Sequence, residues 1–181
     1  LYAKTIIKNF ISKMKFFNDK MGDPRKQRKK FSKPNHPWQK ERILAEREII
    51  KKYGLRRKYE ILKMDSMLKK FLHRAKTIIG ERTSQSEIEK KELLSRLYLL
   101  GLLKKDSKIE DTLNLTLKDV LERRLQTLVC RKQISKTMLQ ARGFITHRHI
   151  AIGSKKITIP SYLVSIEEEP QIKLIHDIKV G

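Results

Sequence analysis

The stretch of sequence that decides the fold is residues 121–164, "LERRLQTLVCRKQISKTMLQARGFITHRHIAIGSKKITIPSYLV". Its first half repeats apolar residues at helical spacing, and from Ile150 onward the spacing changes to two. The first helix of this stretch begins just upstream, where Thr116 and Asp119 have the spacing of a capping box. The pattern predicts two helices followed by a small antiparallel sheet, all within residues 116–170.

The predicted sheet begins with a hairpin. Residues 150–152 and 157–159 alternate isoleucine with other residues on either side of a turn at 153–156. Residues 162–166 continue the alternation and predict a further strand. The sequence beyond it, residues 171–181, is assigned to a tail.

Residues 38–115 predict a helical domain. A helix over about 38–53 ends at Gly54, a second ends at Gly80, and a third begins at a capping box on Ser86. Helical and sheet-forming regions follow each other rather than alternate, so the fold class predicted is α+β. Its architecture is an N-terminal basic arm and helical domain, followed by a small domain of two helices and an antiparallel sheet.

The N-terminal segments differ in character from the rest. Residues 1–20 form a basic amphipathic extension, which is either an organellar or membrane-surface segment or sequence upstream of a true start at Met21. Residues 21–37 are a proline-containing basic arm that is too polar to bury a core and is expected to order on phosphate. Phe31 and Trp38 either stack on bases or anchor the arm, and anchoring is the expectation for Trp38.

The charge of the chain points to a polyanionic partner. The formal net charge is +23, from 43 lysines and arginines against 20 acids, and residues 121–164 hold nine basic residues and one acid. Each phosphate that a cation neutralises releases condensed counterions and strengthens binding. Because Arg123 and Arg124 lie off the leucine stripe of the first helix, they are expected to point away from the core. The residues predicted to bind RNA on one basic face are Arg123, Arg124, Lys132, Lys136, Arg142, His147, Arg148, Lys155 and Lys156, with a second patch of Arg56, Arg57 and Lys58 joined by Lys26, Arg28, Lys29 and Lys30 of the arm.

Metal and catalytic sites are not predicted. The single cysteine, Cys130, allows neither a disulfide nor a cysteine-rich zinc site. The pair His147 and His149 lacks nearby third and fourth ligands and flanks Arg148, so a phosphate contact by Arg148 and a hydrogen bond from His147 are favoured instead. No phosphate-binding glycine loop or nucleophile with a paired base occurs, so we predict no enzyme activity and no cofactor.

The same residues carry a family resemblance. Residues 121–164 resemble the small S-four RNA-binding domain, in their Leu-x-x-Arg-Leu opening, a capped second helix ending in Ala-Arg, and a basic hairpin. "KYGLRRKYEI" and "MGDPRKQRKKFSKPNHPW" resemble archaeal members of the S-four family of small-subunit ribosomal proteins. The resemblance covers most of residues 21–170.

What the resemblance implies is a structural constituent of the small ribosomal subunit. Such a protein binds small-subunit (16S) rRNA directly, nucleates assembly of the subunit body and contributes to translational accuracy beside the S-five and S-twelve families. It implies a cytoplasmic ribosomal protein with no membrane and no small-molecule partner. The alternative is a free regulatory protein that uses an S-four domain to bind RNA; an enzyme carrying this domain would need a catalytic domain for which residues 21–115 have neither the length nor the motifs.

Overall fold

The computed structural model describes residues 29–81 and 83–175. The predicted extension at 1–20 and most of the arm, including Lys26 and Arg28, lie outside these residues. The helices are α1 (Lys40–Tyr53), α2 (Lys58–Gly80), α3 (Ser84–Leu99), α4 (Leu117–Glu122), α5 (Leu125–Arg131) and α6 (Met138–Thr146), with 3-10 turns at Ile109–Asn114 and Glu169–Gln171. The strands are β1 (Ile150–Ile152), β2 (Lys155–Lys156) and β3 (Ile172–Leu174). The described residues therefore have the α+β class that the sequence predicts.

A glycine forms the turn between the first two helices. Gly54 has a φ of 57°, and its N–H and that of Leu55 donate to the carbonyls of Lys51 and Ile50, which ends α1 in a left-handed cap. A Cβ at position 54 would lie 2.7 Å from the Cβ of Met138, so the turn also needs glycine for close contact with α6.

The start of α3 differs from the prediction. Thr83, and not Ser86, caps the helix: the Ser86 N–H donates to the Thr83 hydroxyl at 3.2 Å, and the Thr83 N–H donates back to the Ser86 hydroxyl at 3.3 Å. The capping box is thus three residues earlier than the Ser-x-x-Glu spacing indicates. At α4 the prediction is confirmed, since the Asp119 carboxylate accepts from the Thr116 N–H at 2.8 Å.

The single long helix predicted after Thr116 is wrong. The chain leaves helical geometry at Arg123 and Arg124, where Arg124 has φ −72° and ψ 140° and pairs with Leu163 in an isolated β-bridge. Two short helices, α4 and α5, replace the one. The break lets α4 pack on the helical domain through Val120 and Leu121, while α5 packs into the core of the C-terminal domain.

The predicted third strand at 162–166 is also wrong. The sheet has the order β2-β1-β3, with both pairs antiparallel, and its third strand is Ile172–Leu174 from the predicted tail. Residues 162–166 run instead along the break between α4 and α5, where the Leu125 N–H donates to the Tyr162 carbonyl and the Val164 N–H to that of Arg123.

Three apolar clusters hold the described residues together. The C-terminal core lies between α5, α6 and the sheet, and two further clusters line α2 on its way past α1, α4 and α3. The members with the least exposure are Leu125, Val129, Ala141, Ile145, Ile150 and Val164 in the first, Tyr53, Val120 and Leu121 in the second, and Ala75 and Leu97 in the third. Within the described residues, no helix has the length and apolar character needed to cross a membrane.

Candidate nucleic-acid interface

Arg124 is a core residue and not a surface cation. Its side chain is 1% exposed, and its Nη2 donates to the Glu60 carboxylate at 2.7 Å. The prediction that Arg124 points away from the core is therefore wrong. The physical reason is the break before α5, which turns the side chain from the helix surface toward the start of α2.

Glu60 joins the helical domain to the C-terminal domain. Besides Arg124, its carboxylate accepts from the Arg142 Nη2 at 3.2 Å and from the Arg56 N–H at 3.3 Å. Burial alone would raise the pKa of Glu60, but the hydrogen bonds and charges of Arg124 and Arg142 outweigh it and hold the pKa below its ordinary value. Glu60 is therefore an anion that holds the guanidinium groups of Arg124 and Arg142 and also accepts from the backbone at Arg56.

The contact between the domains has a second buried polar link. The Gln126 side-chain amide donates to the carbonyls of Gly54 at 3.0 Å and Met138 at 2.9 Å. Gln126 is itself buried on α5. Together with Glu60, it holds the turn between α1 and α2 against the start of α6.

Arg123 is also committed to the fold. Its side chain is 14% exposed, and it donates to the Glu169 carboxylate at 2.8 Å and to the Val164 carbonyl at 3.1 Å. The guanidinium packs against Gly101, where a Cβ would lie 2.7 Å from the arginine Cζ. Lys132, whose ammonium donates to the Glu169 carbonyl, lies beside it and is exposed. Arg123 therefore clamps the end of α3 to the C-terminal segment, and the expectation that it points away from the core is wrong as well.

The hairpin presents exposed cations. Lys155 and Lys156 form β2, pairing with Ile152 and Ala151 across a two-residue turn, and both side chains are exposed. Arg148, just before β1, is exposed and has a left-handed φ of 64°.

Arg148 occupies the position where a helix usually ends in glycine. Its N–H donates to the Ile145 carbonyl at 3.1 Å, and the His149 N–H donates to the Phe144 carbonyl at 2.9 Å, which closes α6 in a Schellman motif. The left-handed conformation costs a residue other than glycine about 1–2 kcal/mol. An arginine is held there despite that cost.

The two histidines on either side of Arg148 lie in different environments. His147 caps α6 and is exposed, whereas His149 is half-buried with its ring edge-on to Phe144 at a centroid distance of 6.2 Å. Among the residues that the structure describes, no group of three or more histidine, cysteine or acidic side chains is placed to hold a metal ion.

The second predicted patch lies at the start of α2. Arg56 and Arg57 are exposed, and Lys58 pairs with Glu46 at 2.7 Å while remaining half in solvent. Because the Arg56 N–H and the Arg142 guanidinium contact the same Glu60 oxygen, this patch meets the α6 face instead of standing apart from it. Arg142 itself keeps 24% of its side chain exposed.

Comparison with known proteins identifies the family. Residues 123–169 match the S4 domain. Over 150 residues, 82% of this chain and 83% of the relative, the sequence is 47% identical to small ribosomal subunit protein uS4 of Saccharolobus solfataricus. The protein of the same name from Ignicoccus hospitalis is also 47% identical, over 152 residues that cover 84% of this chain and 92% of the relative.

The chain belongs to the uS4 family of small ribosomal subunit proteins. The predicted family is thereby confirmed, and the match of the S4 domain begins at the break that separates α4 from α5. Membership makes the chain a structural component of the small ribosomal subunit with an RNA-binding domain, and not an enzyme.

The two buried polar residues that join the domains, Gln126 and Glu60, are not among the residues predicted from the sequence. Gln126 interrupts an otherwise apolar run on α5, and a polar residue inside such a run is a signal that it bonds to buried backbone. Glu60 gave no such signal, because an acid in the first turn of a helix is ordinarily a solvated residue that favours the helix dipole.

Proposed function

We propose that this uS4-family protein binds small-subunit rRNA directly through the exposed cations of its α6 end, its hairpin and the turn before α2. The observation that carries the proposal is Arg148, an exposed arginine held in a left-handed conformation that glycine would adopt without strain. Backbone strain of this kind clusters at functional sites, such as sites that hold a ligand.

The proposed contact set excludes the two arginines that the fold uses internally. Arg124 and Arg123 pair with carboxylates and are only 1% and 14% exposed, so they shape the surface without presenting their charge to solvent. Arg142 and Lys58 also pair with carboxylates, but they keep 24% and 43% of their side chains exposed. The remaining side chains have their polar ends at or near solvent, and they are Arg56, Arg57, Lys58, Lys132, Lys136, Arg142, His147, Arg148, Lys155 and Lys156, continued by Lys29 and Lys30.

Two acids near this surface have partners within the fold. The single acid in residues 121–164, Glu122, pairs with Arg131 at 2.6 Å, and Glu168 accepts from the Tyr162 hydroxyl at 2.7 Å. Arg131 offsets the charge of Glu122, whereas Glu168 remains an anion beside Lys155, and the nine cations of residues 121–164 outnumber these two carboxylates. Structured RNA is bound mainly through phosphates, 2′-hydroxyls and bases unstacked at junctions, which this arrangement of fixed cations suits.

Three finer roles belong to the same proposal and rest on family membership. The protein would bind early and nucleate assembly of the subunit body, contribute to translational accuracy, and neighbour the S-five and S-twelve families. Placement in cytoplasmic ribosomes is supported by the archaeal source of the relatives. Reconstitution of small subunits with and without this protein tests the assembly role, because omission should leave particles that lack the body.

Salt dependence of binding to small-subunit rRNA tests the contact surface. Replacing Lys155 and Lys156 together with alanine should lower the slope of log K against log salt by about two, one for each lost phosphate contact. Lys90 and Lys91, exposed on α3 among glutamates, provide the matched control pair, and their replacement should leave the slope unchanged. Equal losses for the two pairs would refute the proposed surface.

A free regulatory protein is the alternative outcome. Sedimentation of cell extracts through a sucrose gradient separates the two, because a ribosomal constituent runs with small subunits. A protein found on messenger RNA and absent from small subunits would contradict the assembly role.

A further inference from the structure

Trp38 is the only tryptophan of the chain, and 89% of its surface is exposed. It lies two residues before α1, in the turn that follows Pro37. Tryptophan buries the largest apolar surface of any side chain when it contacts a partner, and it is highly buried on average in folded proteins. The prediction that Trp38 anchors the arm is therefore wrong.

The arm is attached by other residues. The Phe31 ring stacks on Tyr59 with a centroid separation of 6.4 Å and an interplanar angle of 26°. Next to it, the Ser32 N–H donates to the Ser66 hydroxyl at 3.1 Å. These contacts with α2 fix the arm without Trp38, so the indole ring is not needed for that purpose.

The backbone that presents Trp38 is firmly held. The Arg42 Nη2 donates to the carbonyls of His36 at 3.0 Å and Pro37 at 2.8 Å, while its Nη1 is fixed by Glu46 at 2.8 Å. The ring of Pro37, directly before Trp38, further fixes the backbone φ angle at that position. The indole is therefore projected into solvent from a preorganised turn, which lowers the entropic cost of binding through it.

The surroundings of Trp38 are basic and polar. Residues 29–40 contain four lysines and no acid, and all four lysines are exposed. The flanking Asn35, His36 and Gln39 are exposed as well, so the ring is not part of a contiguous apolar patch of the kind that marks a protein-docking surface. An isolated aromatic ring among cations is the composition that binds unpaired bases, with stacking on the ring and phosphates on the lysines.

We propose that Trp38 stacks on an unpaired base of small-subunit rRNA. This inference rests on the proposed function and adds to it a contact that involves a base and not a phosphate. Base stacking does not release counterions, so its loss should weaken binding at every salt concentration by the same factor.

Binding of the full chain to small-subunit rRNA across a salt series tests the proposal. Trp38→Ala should weaken binding by about five- to 150-fold, the equivalent of the ~1–3 kcal/mol that one stacked base contributes, with the salt slope unchanged. Trp38→Phe should retain most of the affinity, whereas Trp38→Leu, which is apolar but not aromatic, should behave as alanine does. Circular dichroism of each variant checks that this exposed position leaves the fold intact.

Tryptophan fluorescence provides an independent measurement, because the wild-type emission comes from this one residue. Saturating RNA should quench it. Wild-type affinity of Trp38→Ala, retention of affinity in Trp38→Leu, or unchanged emission at saturation would each overturn the stacking contact. Failure of the proposed function is a different result, namely wild-type binding that does not depend on salt.

Discussion

Replacing Glu60 with alanine removes the carboxylate that neutralises a buried arginine. Arg124 is 1% exposed and its guanidinium donates to Glu60 at 2.7 Å, so without Glu60 a cation would remain in the protein interior with no counterion. Breaking a buried ion pair by removing one partner costs about 3–5 kcal/mol, much of it the desolvation of the charge left behind. Typical domains have a free energy of unfolding of only about 5–15 kcal/mol, so Glu60→Ala should bring the protein close to its stability threshold.

Urea denaturation followed by circular dichroism measures this loss. Glu46→Ala is the matched control, because Glu46 also forms ion pairs with two cations, Arg42 at 2.8 Å and Lys58 at 2.7 Å. Those partners reach solvent when the acid is removed, so Glu46→Ala should cost no more than about 1 kcal/mol. A loss for Glu60→Ala no larger than that of the control would refute the reasoning.

A second substitution separates the buried charge from the lost contact. Adding Arg124→Met to Glu60→Ala removes the uncompensated cation and fills its space with an apolar side chain of similar length. Replacement of a buried ion pair by apolar residues is often neutral or stabilising. The double variant should therefore regain much of the lost stability, and a further decrease would contradict the account.

Five other substitutions, one of Glu60 and two matched pairs, have expected outcomes that follow from particular residues. The pKa of Glu60 in the folded protein lies below its ordinary value of 4.5. The stability that ionised Glu60 contributes is therefore present above pH 4.5 and is lost as the pH falls through the folded pKa. The unfolding free energy of Glu60→Gln should thus fall less between about pH 5 and pH 3 than that of the wild type. Gly101→Ala should lower the melting temperature, because φ is 69° there and the new Cβ would lie 2.7 Å from a guanidinium, whereas Gly143→Ala, with nothing within 4 Å in a helix, should raise stability by up to about 1 kcal/mol. Arg148→Gly should stabilise the fold by about 1 kcal/mol, because glycine relieves the left-handed strain, but it should weaken rRNA binding. Gln133→Gly, at a φ of 58° after α5, should also stabilise the fold but leave rRNA binding unchanged. Equal losses of binding in the two variants would contradict a special role of Arg148.

Much of the helical part could be predicted from the sequence because its signals are local. The apolar spacing along α2 and the glycine after α1 depend on residues within a few positions of each other, and the structure agrees at both. The capping-box signal is less specific, because any two suitable residues three positions apart match it. Ser86 and Glu89 have this spacing, but the capping box forms between Thr83 and Ser86.

The candidate site could be predicted only in part, since the fate of a cation depends on distant residues. Arg123 and Arg124 lie off a leucine stripe, and on one continuous helix their side chains would therefore point into solvent. The stripe in fact spans two helices, and the residues that break it are held by carboxylates 46 and 64 positions away. The prediction of the third strand was wrong for a similar reason. Apolar and other residues alternate in both 162–166 and 172–174, and only the tertiary contacts decide which segment pairs with β1.

Directed hydroxyl-radical probing from the hairpin tests the central claim most directly. With Cys130 replaced by alanine, an iron chelate attached at Lys156→Cys should cleave small-subunit rRNA strongly at sites close in the assembled particle. The same chelate at Glu89→Cys, on the acidic surface of α3, should cleave far more weakly. Strong cleavage from position 89 with none from position 156 would contradict the assignment of the hairpin surface to RNA.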